Sequence, residues 1–332
     1  MHDLLLSSVI AAVVCLLSAG LIYEERSRRR DALRFPPLGR LIDVGGHRLH
    51  VLSKGKGRPT VVIEHGAGGP SVAWLGLQEE VAEFACVCIY DRAGYQWSDA
   101  VLGPRSLEDR VRDLHELLVK SGLPGPYVLV GHSYGGFLVR LFAREYPASV
   151  AGLVLVDSPH EQGYFRREVL SLNSKVAWML RAMKVLSRFG LPRLLNLWGV
   201  KPDPSLPPHV NEQLYAAMVS REYFAAASDD IASLERAAPW LVKPEAFSAL
   251  GDLPVAVIAH GKPFLGSLAI LEKSWRDGQD RLAALSTNSV LLVAENANHS
   301  IHKDEPEVVI DAIRGVIARA RTREPLGATS QA

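Results

Sequence analysis

Ser133 stands in the run Gly131-His132-Ser133-Tyr134-Gly135-Gly136, directly after the apolar stretch Tyr127–Val130 and before a helical pattern over Phe137–Tyr146. Between a strand and a helix, glycines two before and two after a serine permit a bend tight enough to leave its Oγ exposed. A hydroxyl attacks a carbonyl only when a neighbouring base takes its proton. The helix that follows aims free N–H groups and its positive dipole end at negative charge as it develops. G-x-S-x-G alone is a weak signal; its place between strand and helix makes it specific.

The base must be a histidine returned to the serine by the fold. His299 and His302 both follow the last predicted strand, Val290–Ala294, and His299 comes first, in the short loop after Asn296-Ala297-Asn298. His299 is the expected base, with His302 at a helix start or in the pocket. The orienting acid is less determined. Asp157 ends the strand Val150–Val156, whereas the strand Pro254–Ala259 is followed by His260-Gly261-Lys262-Pro263-Phe264 and no carboxylate before Glu272. Asp157 leads, Glu161, Asp277 and Asp280 remain alternatives, and a cap for the turn Ser158-Pro159 is its competing structural role. An oxyanion needs a second backbone N–H from a flexible loop. His65-Gly66-Ala67-Gly68-Gly69 follows the strand Thr60–Glu64, so Ala67 and Tyr134 are the expected donors and His65 is expected to be structural.

These residues need a scaffold. At 332 residues and 48% hydrophobic content the chain can bury a sizeable core. The 37 Lys and Arg against 36 Asp and Glu leave no global field for nucleic acid. Three cysteines make no disulfide framework, and Cys86 and Cys88 are expected as buried free thiols. Short Val- and Ile-rich segments alternate with helical patterns, which implies βα units on a mostly parallel sheet. Arg40–Val44 and Arg48–Ser53 flank Gly45-Gly46 as an antiparallel hairpin, and Ser106 with Asp109 signals the start of a helix over Ser106–Ser121.

Nearly a hundred residues between Asp157 and Pro254 break that rhythm and read as a helical cap. No acidic residue occurs from Val169 to Pro202, whereas Lys175, Arg181, Lys184, Arg188, Arg193 and Lys201 do. A solvated basic face over an apolar pocket is the leading expectation for that stretch, and contact with anionic lipid headgroups is the sharper alternative. Leu4–Tyr23 carries no charge and is about 30 Å long as a helix, enough for a membrane span; a signal peptide with Ser18 and Gly20 near its cleavage site competes. Arg26, Arg28, Arg29, Arg30 and Arg34 then place the body on the cytoplasmic side, or outside the cell or in the periplasm if the segment is cleaved. The expected organisation is an anchor over 1–25, a linker over 26–38, a core over 39–159 and 251–324, a cap over 160–250, and a disordered tail over 325–332.

Gly39–Arg319 resembles the serine α/β-hydrolases of the esterase, lipase and peroxidase-like superfamily, through VLVGHSYGG, EHGAGG, DRAGYQWSD, GLVLVDSPH and ANHSIHKDEPEVV. The resemblance implies an α/β-hydrolase fold: a mostly parallel eight-stranded sheet, helices on both faces and a helical cap insertion. It also implies Ser133 as nucleophile, His299 as base, Asp157 as acid and the N–H groups of Ala67 and Tyr134 as the oxyanion hole. Gln96 departs from it, since relatives usually carry a second glycine there. Dehalogenases and epoxide hydrolases of this fold need an Asp nucleophile, which Ser133 argues against. The implied activity is hydrolysis of a small-to-medium apolar carboxylic ester through an acyl-enzyme, without metal or organic cofactor. Amide or thioester hydrolysis, and a non-catalytic membrane-tethered binding protein, are the alternatives.

Overall fold

The computed structural model describes residues 2–204, 206–243, 247, 249–263 and 269–323. The expected tail and Phe264 lie outside the described residues. Helix α1 (His2–Arg34) leads to a hairpin of β1 (Arg40–Asp43) and β2 (Arg48–Lys54). There follow β3 (Thr60–Glu64), α2 (Leu75–Ala82), β4 (Val87–Tyr90), α3 (Leu107–Ser121), β5 (Tyr127–His132), α4 (Tyr134–Glu145) and β6 (Val150–Val156). Five helices come next: α5 (Glu161–Tyr164), α6 (Arg167–Ser187), α7 (Leu191–Leu195), α8 (Pro208–Met218) and α9 (Arg221–Leu241). The chain re-enters the sheet with β7 (Val255–His260), α10 (Ala269–Ala283), β8 (Ser289–Ala294), α11 (Ile301–Asp304) and α12 (Pro306–Arg323).

One eight-stranded sheet has the order β1-β2-β4-β3-β5-β6-β7-β8. β2 runs antiparallel to β1 and β4, and the remaining pairings are parallel, as the βα rhythm requires. Strands buried on both faces need apolar side chains at consecutive positions. In β5, Val128 and Val130 enter one core layer and Leu129 the other; in β6, Val154 and Val156 part likewise from Leu153 and Leu155. The first layer is closed by Leu77 and Val81 of α2 and Ile313 and Val316 of α12, the second by Leu114 of α3 and Phe137 and Leu141 of α4. Truncating a residue such as Leu129 to alanine in this packing costs about 2–5 kcal/mol.

The helix starting at Leu107 is capped as expected, with Ser106 Oγ accepting from the Asp109 N–H and the Asp109 carboxylate accepting in return. Cys86 and Cys88 are buried free thiols. Gln96 adopts φ 39°, the left-handed region in which glycine is unstrained, and its side chain accepts from Ser71 Oγ at 3.2 Å. Residues 26–34, read as linker, instead continue α1. The physical reason is that Glu24 and Ser27 are buried against the helical insertion, which holds this stretch in regular helix. Ahead of them lies an exposed apolar stretch that forms a candidate membrane span, none of its most apolar window being buried.

Candidate active site

Parallel neighbours β3, β5, β6, β7 and β8 end on the same edge of the sheet, so the residues that follow them are brought together across large sequence separations. Ser133 follows β5 at φ 51°, ψ −120°, a strained conformation held by its N–H bonding to Val156 O at 3.1 Å. Two glycines make the bend possible. A Cβ on Gly131 would fall 2.6 Å from Val139 Cγ2, and one on Gly135 only 2.3 Å from Glu64 O. That second approach seats the start of α4 against the end of β3, and the helix consequently begins at Tyr134, three residues earlier than its apolar periodicity suggests.

The structure brings Ser133, His299 and Asp157 into one relay. Ser133 Oγ lies 3.0 Å from His299 Nε2, and His299 Nδ1 lies 2.6 Å from Asp157 Oδ2. Asp157 is fully buried at φ 43°. Burial would raise its pKa, but hydrogen bonds from His260 and His299 outweigh this and hold the carboxyl below its usual range. It is therefore an anion that fixes the His299 tautomer with Nδ1 as donor and leaves Nε2 to face the hydroxyl.

Two further residues hold Asp157 and a third backs one of them, and sequence reasoning missed all three. His260, the last residue of β7, places Nδ1 2.8 and 2.9 Å from the two Asp157 oxygens, while its Nε2 lies 2.9 Å from Glu272 Oε2. Burial lowers the His260 pKa, yet the bonds to Asp157 and Glu272 prevail and raise it. Trp275 Nε1 donates to Asp157 Oδ1 at 2.9 Å, and its ring meets that of His299 edge to face. Glu272, the first carboxylate after β7, thus serves His260. Of the other acids weighed, Glu161 pairs with buried Arg140 at 3.0 Å, Asp277 pairs with Lys273 on the surface, and Asp280 is exposed.

His132 is the fourth residue missed. Its Nε2–H donates to the His299 backbone oxygen at 2.9 Å, which anchors His299 from behind. Burial, followed by neighbouring His299, pushes its pKa down to about 3, so it is neutral at ordinary pH. His302 stacks on Trp74 at 4.0 Å and lies beside His132. Both contacts follow from the loop after β8 folding back over β5, which no local pattern announces.

The loop His65–Gly69 is tied down from two sides. Buried Arg92 bonds Glu64, donates to His65 O at 2.7 Å and Gly66 O at 2.9 Å, and reaches Asp230 of α9 at 2.8 Å. Tyr95 Oη donates to the same Asp230 oxygen at 2.6 Å and accepts from the Gly68 N–H at 2.9 Å; Tyr223 Oη donates to Gly68 O at 2.9 Å. His65 is buried, with its ring against Tyr95. Ala67, Tyr134, Ser133 and His299 border one cavity of about 200 Å³. Its remaining wall is largely apolar, including Tyr164, Val169, Leu172, Ile231, Leu234 and Leu271. Among the described residues no group of three or more His, Cys, Asp or Glu is arranged to hold a metal ion.

Residues 61–312 match the family model described as Alpha/beta hydrolase family. The uncharacterized protein YbdG of Bacillus subtilis is 25% identical over 223 residues, which are 65% of this chain and 68% of that protein. In solved structures the chain is similar to a thermophilic esterase from Thermogutta terrifontis, with a TM-score of 0.59 and 23% identity, covering 82% of this chain and 94% of the esterase. It is also similar to an epoxide hydrolase from Bacillus megaterium, with a TM-score of 0.63 and 20% identity, covering 84% of this chain and all of that one (100%). At these identities the structural likeness is one of fold.

Proposed function

Because this chain belongs to the alpha/beta hydrolase family, we propose that it is a serine hydrolase that cleaves a carboxylic ester of a small-to-medium apolar substrate through an acyl-enzyme. One observation carries the reading: the continuous relay Ser133–His299–Asp157, with contacts of 3.0 and 2.6 Å, opens into a largely apolar cavity of about 200 Å³. In this cycle His299 takes the Ser133 proton as Oγ bonds to the ester carbon. The N–H groups of Ala67 and Tyr134 hold the oxyanion, and protonated His299 then gives its proton to the departing alkoxide. Water, activated by His299, releases the acid and restores Ser133.

Apolar lining from Val169, Leu172, Ile231, Leu234 and Leu271 suits an apolar acyl or alcohol part. The serine nucleophile separates this chemistry from the carboxylate attack that opens epoxides. Helices α5–α9, inserted between β6 and β7, act as the cap over the cavity. Helix α1 acts as a membrane anchor with the body on the cytoplasmic side, a reading supported by the apolar, exposed stretch Leu4–Tyr23 and the arginines that follow it.

A fluorophosphonate probe tests the assignment, since it reacts covalently with an activated serine. Wild type is expected to be labelled. Ser133→Ala should lose the label and lower turnover of a short p-nitrophenyl ester by a factor on the order of 10⁴ or more. Undiminished labelling of Ser133→Ala would remove Ser133 from the role.

A further inference from the structure

Helix α1 changes character along its length. Leu4–Tyr23 is apolar and largely exposed. From Gly20 onward the same helix is packed on the helical insertion: a Cβ on Gly20 would lie 2.7 Å from Phe189 O, and one on Gly190 would lie 2.5 Å from the Tyr23 ring. Buried Arg193 lies 3.1 Å from Glu24 Oε2 and 2.7 Å from Asp31 Oδ2, Arg28 lies 3.4 Å from Glu222, and Arg34 pairs with Glu212. Twenty residues at about 1.5 Å each fill a hydrocarbon layer of roughly 30 Å. A span over Leu4–Tyr23 therefore puts the bilayer boundary at the turn joining α6 to α7, the part of the insertion that α1 grips.

The surface there is matched to such a boundary. Leu194 and Leu195, directly after Arg193, are 63% and 60% exposed, and Leu197 is exposed beside them. On α6 and its C-cap the outward side chains include Lys175, Trp178, Arg181, Val185 and Arg188, at spacings of three or four that align them on one face. Trp178 is 71% exposed and Val185 58%. The opposite face of α6, through Val176, Leu180 and Met183, packs with Tyr95, Tyr223 and Phe224. A stripe that mixes cations with an exposed Trp is costly in water and suited to an interface, where the Trp and Leu side chains immerse and Lys and Arg meet phosphates. The absence of acidic residues from Val169 to Pro202 removes repulsion from an anionic surface.

We infer that the outer stripe of α6 and the α6–α7 corner are seated in the headgroup layer of the bilayer that α1 crosses, with anionic lipid as the partner of this face. One consequence rests on the hydrolase reading above. Leu172, exposed and one turn before Lys175 on α6, also lines the catalytic cavity, so the mouth of that cavity opens beside the seated face and an apolar ester enters from the lipid.

The test uses the full chain carrying Cys15→Ser, reconstituted in phosphatidylcholine vesicles with and without phosphatidylglycerol. A single reporter cysteine replaces Leu195, Val185 or, as the reference on α3, Val119, which is 61% exposed; each is labelled with an environment-sensitive fluorophore. At Leu195 and Val185 the emission is expected to be blue-shifted relative to Val119 and quenched by lipids spin-labelled near the headgroup. Phosphatidylglycerol should strengthen the Val185 signal, and Arg181→Glu with Arg188→Glu should weaken the seated population by at least about fivefold per charge. Water-like emission without quenching at both sites would overturn the seating, and seating indifferent to phosphatidylglycerol would overturn anionic lipid as its partner. Because this readout involves no turnover, it fails or succeeds independently of Ser133.

Discussion

His260 Nδ1 lies 2.8 Å from Asp157 Oδ1 and 2.9 Å from Oδ2, so the carboxylate that meets His299 through Oδ2 is held across both oxygens by a second histidine. The Nε2 of His260 is in turn 2.9 Å from Glu272, and carboxylates at both ring nitrogens favour its charged form. The acid therefore has little freedom to rotate, and the angle at which it presents Oδ2 to His299 is set by β7 and α10.

Asp157→Asn removes both the charge and the tautomer control, and turnover of a short ester should fall on the order of 10⁴-fold. His260→Gln keeps an uncharged donor beside Asp157 and should lower kcat by about 10- to 100-fold with little change in KM, the scale of a misplaced catalytic group. Asp277→Asn and Asp280→Asn should leave the rate unchanged. Steady-state kinetics on the four variants separate these cases, and full activity in Asp157→Asn would remove it as the acid.

Asp230 on α9 binds Arg92, Tyr95 and Arg110, and through Arg92 and Tyr95 tethers the loop that carries Ala67. Asp230→Asn leaves buried Arg92 with Glu64 as its remaining carboxylate partner among the described contacts. Because Arg92 keeps that carboxylate and two carbonyl acceptors, the cost is that of charge-assisted hydrogen bonds, about 1.5–3 kcal/mol. Urea unfolding should report that loss, and kcat should fall by about 10- to 100-fold, up to the lower range for losing one oxyanion donor.

Acid should weaken the fold through its neutral histidines. Burial, then His299, pushes His132 down to about 3; burial, then Arg92, pushes buried His65 well below its usual value. Unfolded, both titrate near 6.5, so the unfolded chain binds protons that the folded one refuses as pH falls from about 6.5 toward 3. Stability then drops by up to about 1.4 kcal/mol per pH unit for each group. Tm is expected to be lower at pH 5 than at pH 7, and His132→Asn should narrow the gap. His260 has the opposite sign: its raised pKa contributes stability below about 6.5 that is lost as pH rises past its folded value.

Deleting residues 2–18 should convert the protein from an integral to a carbonate-extractable one while leaving its Tm nearly unchanged, because Gly20, Tyr23, Glu24 and Asp31 still dock on the insertion. Deleting residues 2–31 removes both carboxylate partners of Arg193 together with the helix packed on Gly190, and should lower Tm clearly. Membrane fractionation with thermal unfolding checks both.

The bend that carries Ser133 was legible because its signal is local. Tyr127–Val130, the glycines around Ser133 and the helix after them fall within twenty residues, and the bend follows from steric rules acting on neighbours. That His299 and Asp157 would lie near Ser133 was legible from their places after strands of one parallel sheet, although the sequence also left Glu161, Asp277 and Asp280 open. The sheet itself was legible from apolar runs that only doubly buried strands require. Its hairpin, the Ser106 cap and the buried Cys86 and Cys88 followed from equally local rules.

By itself, then, the sequence determined the strand–turn–helix carrying Ser133, the helical periodicity of α6 and the apolar length of α1, each a property of residues close along the chain. Only the tertiary structure decided that His260 and Trp275 would share Asp157, that His132 would hold His299, and that Arg193 would bind α1 to the insertion. Those contacts join residues 103, 118, 167 and 169 positions apart. Strand register, helix docking and burial bring such residues together, and no periodicity of 2 or 3.6 encodes them.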